Sequence, residues 1–183
     1  MRNVIFAINI TLDGCCDHTK QIADDETHDY FTQLLREVDL LVFGRKAYQL
    51  MVPFWPEVAK NQSMGKAENE FAQAFDSKKL VVFSRSLDSA EDNNTRIVRR
   101  NLRDEILRLK QEPGKNILVG GVDIPSQLIE LGLIDEYRFV VGPIVAGEGR
   151  RLLGGVSLRE RLQLKLVESK IFESGCVALR YLK

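Results

Sequence analysis

Three short stretches of this 183-residue chain combine residue types suited to holding phosphate. In Ile117-Leu118-Val119-Gly120-Gly121-Val122-Asp123 an apolar run stops at two glycines, and a helix-like pattern follows at once. Glycines let backbone N–H groups approach an anion closely, and a helix N-terminus adds a favourable dipole. A pyrophosphate suits that arrangement. The plain alternative is a tight turn with Asp123 as N-cap. The spacing is not GxGxxG, so an ordinary Rossmann site is not indicated.

In Val42-Phe43-Gly44-Arg45-Lys46 another apolar run ends in glycine, followed by two cations. Arg45 is suited to grip phosphate as a bidentate fork. The alternative is a solvated basic turn. In Phe83-Ser84-Arg85-Ser86 two hydroxyls flank a guanidinium after a third run. That is a cradle for a monophosphate such as the ribose 2′-phosphate of NADPH, where NADH sites use a carboxylate instead. The alternative here is an ordinary polar loop. Jointly, the three stretches read as a dinucleotide site selective for NADPH.

Cys15-Cys16-Asp17-His18 raises the question of a metal. Adjacent cysteines rarely ligate one ion, and no second Cys/His cluster completes a tetrahedral set, so no metal is expected. Three cysteines without paired spacing suit reduced thiols and a cytoplasmic location. Lys plus Arg equals Asp plus Glu at 26 each, which gives no general drive toward nucleic acid or anionic membrane. The N-terminal apolar run is broken by Asn9 and Thr11, and no stretch is long enough for a membrane span.

The elements that must position these loops alternate along the chain. Apolar runs over Val4–Ile10, Leu40–Phe43, Lys79–Phe83, Ile97–Val98, Asn116–Val119 and Glu136–Val141 read as buried strands. Helical spacing runs from Asp25, with Phe31, Leu34, Leu35 and Val38 on one face, and recurs over Lys46–Met51, Ala67–Phe75, Leu102–Lys110 and Asp123–Leu131. Pro53-Phe54-Trp55-Pro56 reads as a break, and 88–94 as a polar loop. Leu162, Leu164 and Leu166 alternate, as do Val177, Leu179 and Tyr181, so the tail reads as an antiparallel hairpin with one wet face. The expectation is one α/β domain over 1–183, a three-layer α/β/α stack on a mostly parallel sheet. Ligands then bind beyond the carboxyl ends of the strands, where the three loops lie.

The order of motifs resembles the dihydrofolate-reductase superfamily, most closely the reductase domain of bacterial riboflavin biosynthesis (the RibD C-terminal type) and its stand-alone relatives. The matching pieces are Thr11-Leu12-Asp13-Gly14, Val42-Phe43-Gly44-Arg45, Val82-Phe83-Ser84-Arg85, Val119-Gly120-Gly121 and the glycine-rich run Gly142 to Gly149. The resemblance implies an NADPH-dependent reductase of a small heterocycle, a pteridine or an aminopyrimidine, that is often a homodimer. It implies that Ala7 and Ile8 border the nicotinamide. Gly44, Arg45 and Lys46 would meet the adenosine phosphates, and Ser84, Arg85 and Ser86 the 2′-phosphate and adenine. Gly120, Gly121 and Val122 would lie along the pyrophosphate and the nicotinamide ribose.

Dihydrofolate reductases place a substrate-contacting carboxylate in the first helix. Asp29 is the favoured candidate here and Glu26 the second, against solvated charges on a first turn. Asp13 either binds substrate or shapes the loop beside Gly14. Trp55 either walls the substrate pocket or anchors a surface loop. A nucleotide-binding module without turnover is the alternative function, and a structural protein on a borrowed fold is a third.

Overall fold

The structure, a computed structural model, describes residues 1–90 and 92–183. The polar loop expected over 88–94 includes residue 91, which lies outside the described residues. Short β-branched runs form the strands β1 (Val4–Thr11), β2 (Val38–Gly44), β3 (Lys79–Phe83), β4 (Thr95–Val98), β5 (Asn116–Val119) and β6 (Glu136–Gly142). These six pair in parallel in the order β4-β3-β2-β5-β1-β6. The tail adds β7 (Lys165–Ile171) and β8 (Val177–Leu182), with β8 antiparallel to β6 and β7 at the far edge.

Both faces of the parallel part are covered, as such sheets require. Val4 and Phe6 pack with Ile106 and Leu109 of α5 (Leu102–Gln111) and Leu128 of α6 (Asp123–Glu130). Ile5 and Ala7, pointing the other way, pack with Leu34 and Leu35 of α1 (Asp25–Glu37), Tyr48 of α2 (Arg45–Met51) and Phe71 and Phe75 of α4 (Lys66–Asp76). The three-layer architecture follows from this alternation. Asp24 caps α1 by accepting the N–H of Thr27 at 2.8 Å. Among the described residues no helix is long and apolar enough to cross a membrane.

Three local expectations need correction. Residues Trp55–Asn61 form a helix, α3, where a break was expected. Pro56 sits in its first turn, where a missing N–H costs nothing. Asp123 is the first residue of α6 rather than its N-cap, which is Val122. The first arm of the hairpin starts at Lys165, after Leu162 and Leu164. Those two leucines pack from the preceding loop onto the core, so their alternation reports burial and not strand pairing. Every residue of β7 is exposed, on both faces of the sheet.

Candidate active site

Because β3, β2, β5 and β1 are parallel neighbours, their carboxyl ends line one edge of the sheet in that order. The edge therefore presents Ser84-Arg85-Ser86, then Gly44-Arg45-Lys46, then Gly120-Gly121-Val122, then the exit of β1 at Thr11-Leu12-Asp13-Gly14. Strands lie about 4.8 Å apart, so the four ends span roughly 14 Å.

The glycines at the centre are required by packing. A β-carbon on Gly120 would collide with the ring of Phe43 at the end of β2. Gly121 has φ +80°, a conformation that favours glycine, and its β-carbon would lie 3.0 Å from that of Ala47 in α2. A β-carbon on Gly44 would lie 3.3 Å from Ile124. The starts of α2 and α6 are thereby drawn together, and neither N-cap supplies a side-chain hydrogen bond to its helix. Asp123 in the first turn of α6 pairs with Arg150 at 2.5 Å, and that guanidinium holds its carboxyl below the usual range.

At the β3 end, the Ser84 hydroxyl accepts the N–H groups of Ser86 and Leu87 at 3.3 and 3.0 Å, so Ser84 shapes the loop itself. Arg85 and Ser86 are exposed. Beside them lies a groove of about 770 Å³ between the ends of β3 and β4 and the start of α5. Its lining adds Arg99, Arg100 and Arg103, none of which was singled out from the sequence. The signal was there: Arg99-Arg100-Asn101 follows the short strand ending at Val98 and precedes a helix, the same pattern as the other loops. Arg99 donates to the Leu87 carbonyl at 2.7 Å and ties the two loops together. Arg45 and Arg85 have no hydrogen-bond or ion-pair partner among the described residues, which leaves both guanidinium groups available to an anion.

At the β1 end, Ala7 is buried and Ile8 half-buried. Asp13 is bound internally on every side. The Thr11 hydroxyl donates to it at 2.5 Å, the N–H groups of Ala146 and Gly147 at 3.0 and 2.9 Å, and Arg151 pairs with it at 2.7 Å. The Thr11 hydroxyl first, and then these other donors, hold its carboxyl well below the ordinary carboxylate range. Of the two roles expected for Asp13, the geometry favours shaping the loop.

The first-helix carboxylates are placed otherwise than the resemblance implied. Asp29 is on the exposed side of α1. Glu26 accepts the N–H of Glu173 in the β7–β8 turn at 2.6 Å. The side chain that α1 turns inward at this level is Thr27. His28 donates through Nδ1 to the Asp24 carbonyl, 2.9 Å away, and its ring meets Trp55 and Phe71 edge-on, each at 5.9 Å. Trp55 and Phe71 are themselves in contact, with centroids 4.6 Å apart. Trp55 thus forms one wall of an aromatic cluster beside the start of α1.

Among the described residues no group of three or more His, Cys, Asp or Glu side chains is placed to hold a metal ion. Residues 2–178 match the model of the RibD C-terminal domain family.

The chain belongs to the RibD C-terminal domain family.

Relatives of this RibD C-terminal domain include two uncharacterized proteins of Bacillus subtilis. YyaP is 33% identical, over 98% of this chain and 94% of its own length. YwjB is 26% identical, over 90% of each. Among solved structures, a putative riboflavin biosynthesis protein from Shewanella sp. PV-4 superposes with a TM-score of 0.74 at 21% identity, covering 100% of this chain and 98% of that one. A Thermotoga maritima diaminohydroxyphosphoribosylaminopyrimidine deaminase/5-amino-6-(5-phosphoribosylamino)uracil reductase superposes with a TM-score of 0.69 at 17% identity, covering 99% of this chain and 56% of that one. At these identities the two structures establish the fold.

Proposed function

We infer that this RibD C-terminal domain is an NADPH-dependent reductase of a small pyrimidine- or pteridine-type heterocycle. One observation carries the reading: the order of chemistry along the sheet edge. Arg85, without a partner among the described residues, comes first, then Gly44-Arg45, then Gly120-Gly121, then the exit of β1, over a length suited to an extended dinucleotide. The residues present fit the cofactor. Arg85, assisted by Arg99 and Arg100, would hold the 2′-phosphate, with Ser86 beside the adenine. Arg45 and Lys46 would meet the adenosine phosphates. The close backbone at Gly120, Gly121 and Val122 would receive the pyrophosphate, and Ala7 and Ile8 would border the nicotinamide. NADPH supplies the hydride when bound.

The chain's own task is orientation and exclusion of water. Asp13 fixes the loop after β6 over the β1 exit. Trp55 and His28 wall the side next to α1. The substrate lies between β1 and α1, and its proton comes from water, because Asp29 faces out and Glu26 is occupied by the β7–β8 turn. That same observation favours a second reading, a dinucleotide-binding module without turnover. Saturable NADPH oxidation in the presence of an aminopyrimidine or a dihydropteridine supports the reductase. Cofactor binding with no oxidation across that panel supports the module. The exposed edge strand β7, with Leu166, Val167 and Ile171 each at least 41% accessible, is the surface through which a homodimer would form.

A further inference from the structure

A cavity of about 900 Å³ lies between α5 and the edge strand β4, and it runs from Arg99 past the end of β4 to Asp39 near the start of β2. Its floor is apolar. Leu40, Val81, Val98 and Leu109 line it, and all four belong to the core cluster beneath α5. Its walls are cationic. Six cations line the cavity against two carboxylates, Asp39 and Glu112, in a chain of zero formal net charge. Buried Glu105 fixes two of the cations. Arg96 donates to its Oε1 at 2.6 Å, and Arg108 donates to the same oxygen at 2.7 Å and to Oε2 at 3.1 Å. One carboxylate thus holds two guanidinium groups side by side. Both remain about half exposed, with N–H donors to spare. Lys79 and Arg100, also in the lining, have no hydrogen-bond or ion-pair partner among the described residues. Like charges gathered at one cavity repel each other, and an anion among them relieves that repulsion.

We propose that this cavity binds an organic phosphate monoester with an apolar, ring-sized body. The phosphate meets Arg96 and Arg108, whose planar forks suit its oxygens, with Lys79 adding a point charge. Because Glu105 already holds the two guanidinium groups, little side-chain freedom is lost on binding. The body lies on the floor of Leu40, Val81, Val98 and Leu109. The volume is that of a small-molecule site. Free phosphate would leave the apolar floor unused, and a purely apolar molecule would leave the cations unanswered, so both halves belong to one ligand. The site stands apart from the reductase reading. Arg96, Arg108 and Lys79 do not line the groove at Arg85, which shares only Val98, Arg99 and Arg100 with this cavity.

The test is thermal-shift titration with naphthyl phosphate, and with naphthol and inorganic phosphate as its two halves. It is run on wild type, Arg96→Gln, Lys79→Gln and Arg85→Ala, with NADPH titrated separately. Naphthyl phosphate should stabilise wild type at a concentration about tenfold below that needed of either half. Arg96→Gln should weaken it about tenfold and Lys79→Gln about threefold, while Arg85→Ala leaves it unchanged. Lys79 has no partner in the described fold, so its variant decides the matter even if loss of an arginine from Glu105 unfolds Arg96→Gln. No stabilisation of wild type, inorganic phosphate acting as well as the ester, or undiminished binding in either folded variant overturns the proposal. Loss of binding in Arg85→Ala also overturns it, by assigning the ester to the cofactor groove. If NADPH fails to stabilise wild type while the ester succeeds, the reductase reading fails and the site beside β4 stands.

Discussion

The carboxylate of Asp13 accepts the backbone N–H of Gly147 at 2.9 Å, pinning the loop after β6 across the exit of β1. Ala146 and Arg151 bind the same carboxylate, Leu12 donates to the Ile144 carbonyl, and Leu152 donates to that of Gly14. Asp13→Ala removes the acceptor common to both amides. The expected result is faster hydrogen exchange at Ala146 and Gly147 and a lower Tm. Asp13→Asn should lie between the two proteins, since it keeps one acceptor and loses the charge. Unchanged exchange in Asp13→Ala would return Asp13 to the role of a substrate ligand.

Gly120 and Phe43 make the opposite kind of contact, one defined by what is missing. Alanine at 120 drives a methyl group into a core ring, an overpacking that costs about 1–3 kcal/mol. The melting temperature of Gly120→Ala should fall by several degrees. Adding Phe43→Leu makes room and should recover part of the loss, which a double-mutant cycle measures. Simple additivity of the two changes would show that the glycine is not there for Phe43.

The acid limb of stability should carry the signature of Glu105. It is buried at 2% exposure between Arg96 and Arg108, with hydrogen bonds of 2.6 and 2.7 Å, and Arg108 first and Arg96 second pull its carboxyl down to about 2. A carboxyl of depressed pKa stabilises the fold above its unfolded value, about 4.3 for glutamate, and that contribution disappears as pH falls toward about 2. Urea unfolding between pH 5 and pH 2 should therefore show a steeper loss in wild type than in Glu105→Gln. Parallel curves would remove Glu105 as a source of the slope.

Ile171 is 78% exposed at the end of the edge strand β7. If β7 is the dimer surface, Ile171→Lys should shift the population toward monomer in sedimentation or light scattering, since charge on an edge opposes pairing. A wild-type protein that is already monomeric at tens of micromolar would remove the edge from the account.

Much of the layout was legible in the sequence because hydrophobic period reports burial. Runs such as Leu40–Phe43 are apolar on both faces because helices cover both, and the strand-end rule then selected the loops at Gly44, Ser84 and Gly120. The failures have physical causes too. Strand β7 is exposed on both faces, and two of the three leucines that gave the alternating signal, Leu162 and Leu164, belong to the loop before it. Pro56 reads as a breaker unless its place in a first turn is known. In α1 one residue turns the side chain by about 100°, so Thr27 points into the core while Glu26 and Asp29, three residues apart, share the outer side, a difference that charge alone does not report.

The central claim is a dinucleotide site with its 2′-phosphate at Arg85. The most direct measurement compares NADPH with NADH by isothermal titration, on wild type and on Arg85→Ala. Charge-assisted hydrogen bonds contribute about 1.5–3 kcal/mol, so wild type should prefer NADPH by roughly tenfold to a hundredfold, and the variant should lose most of that preference with NADH binding unchanged. Equal affinity of wild type for the two cofactors, or an undiminished preference in Arg85→Ala, would contradict it.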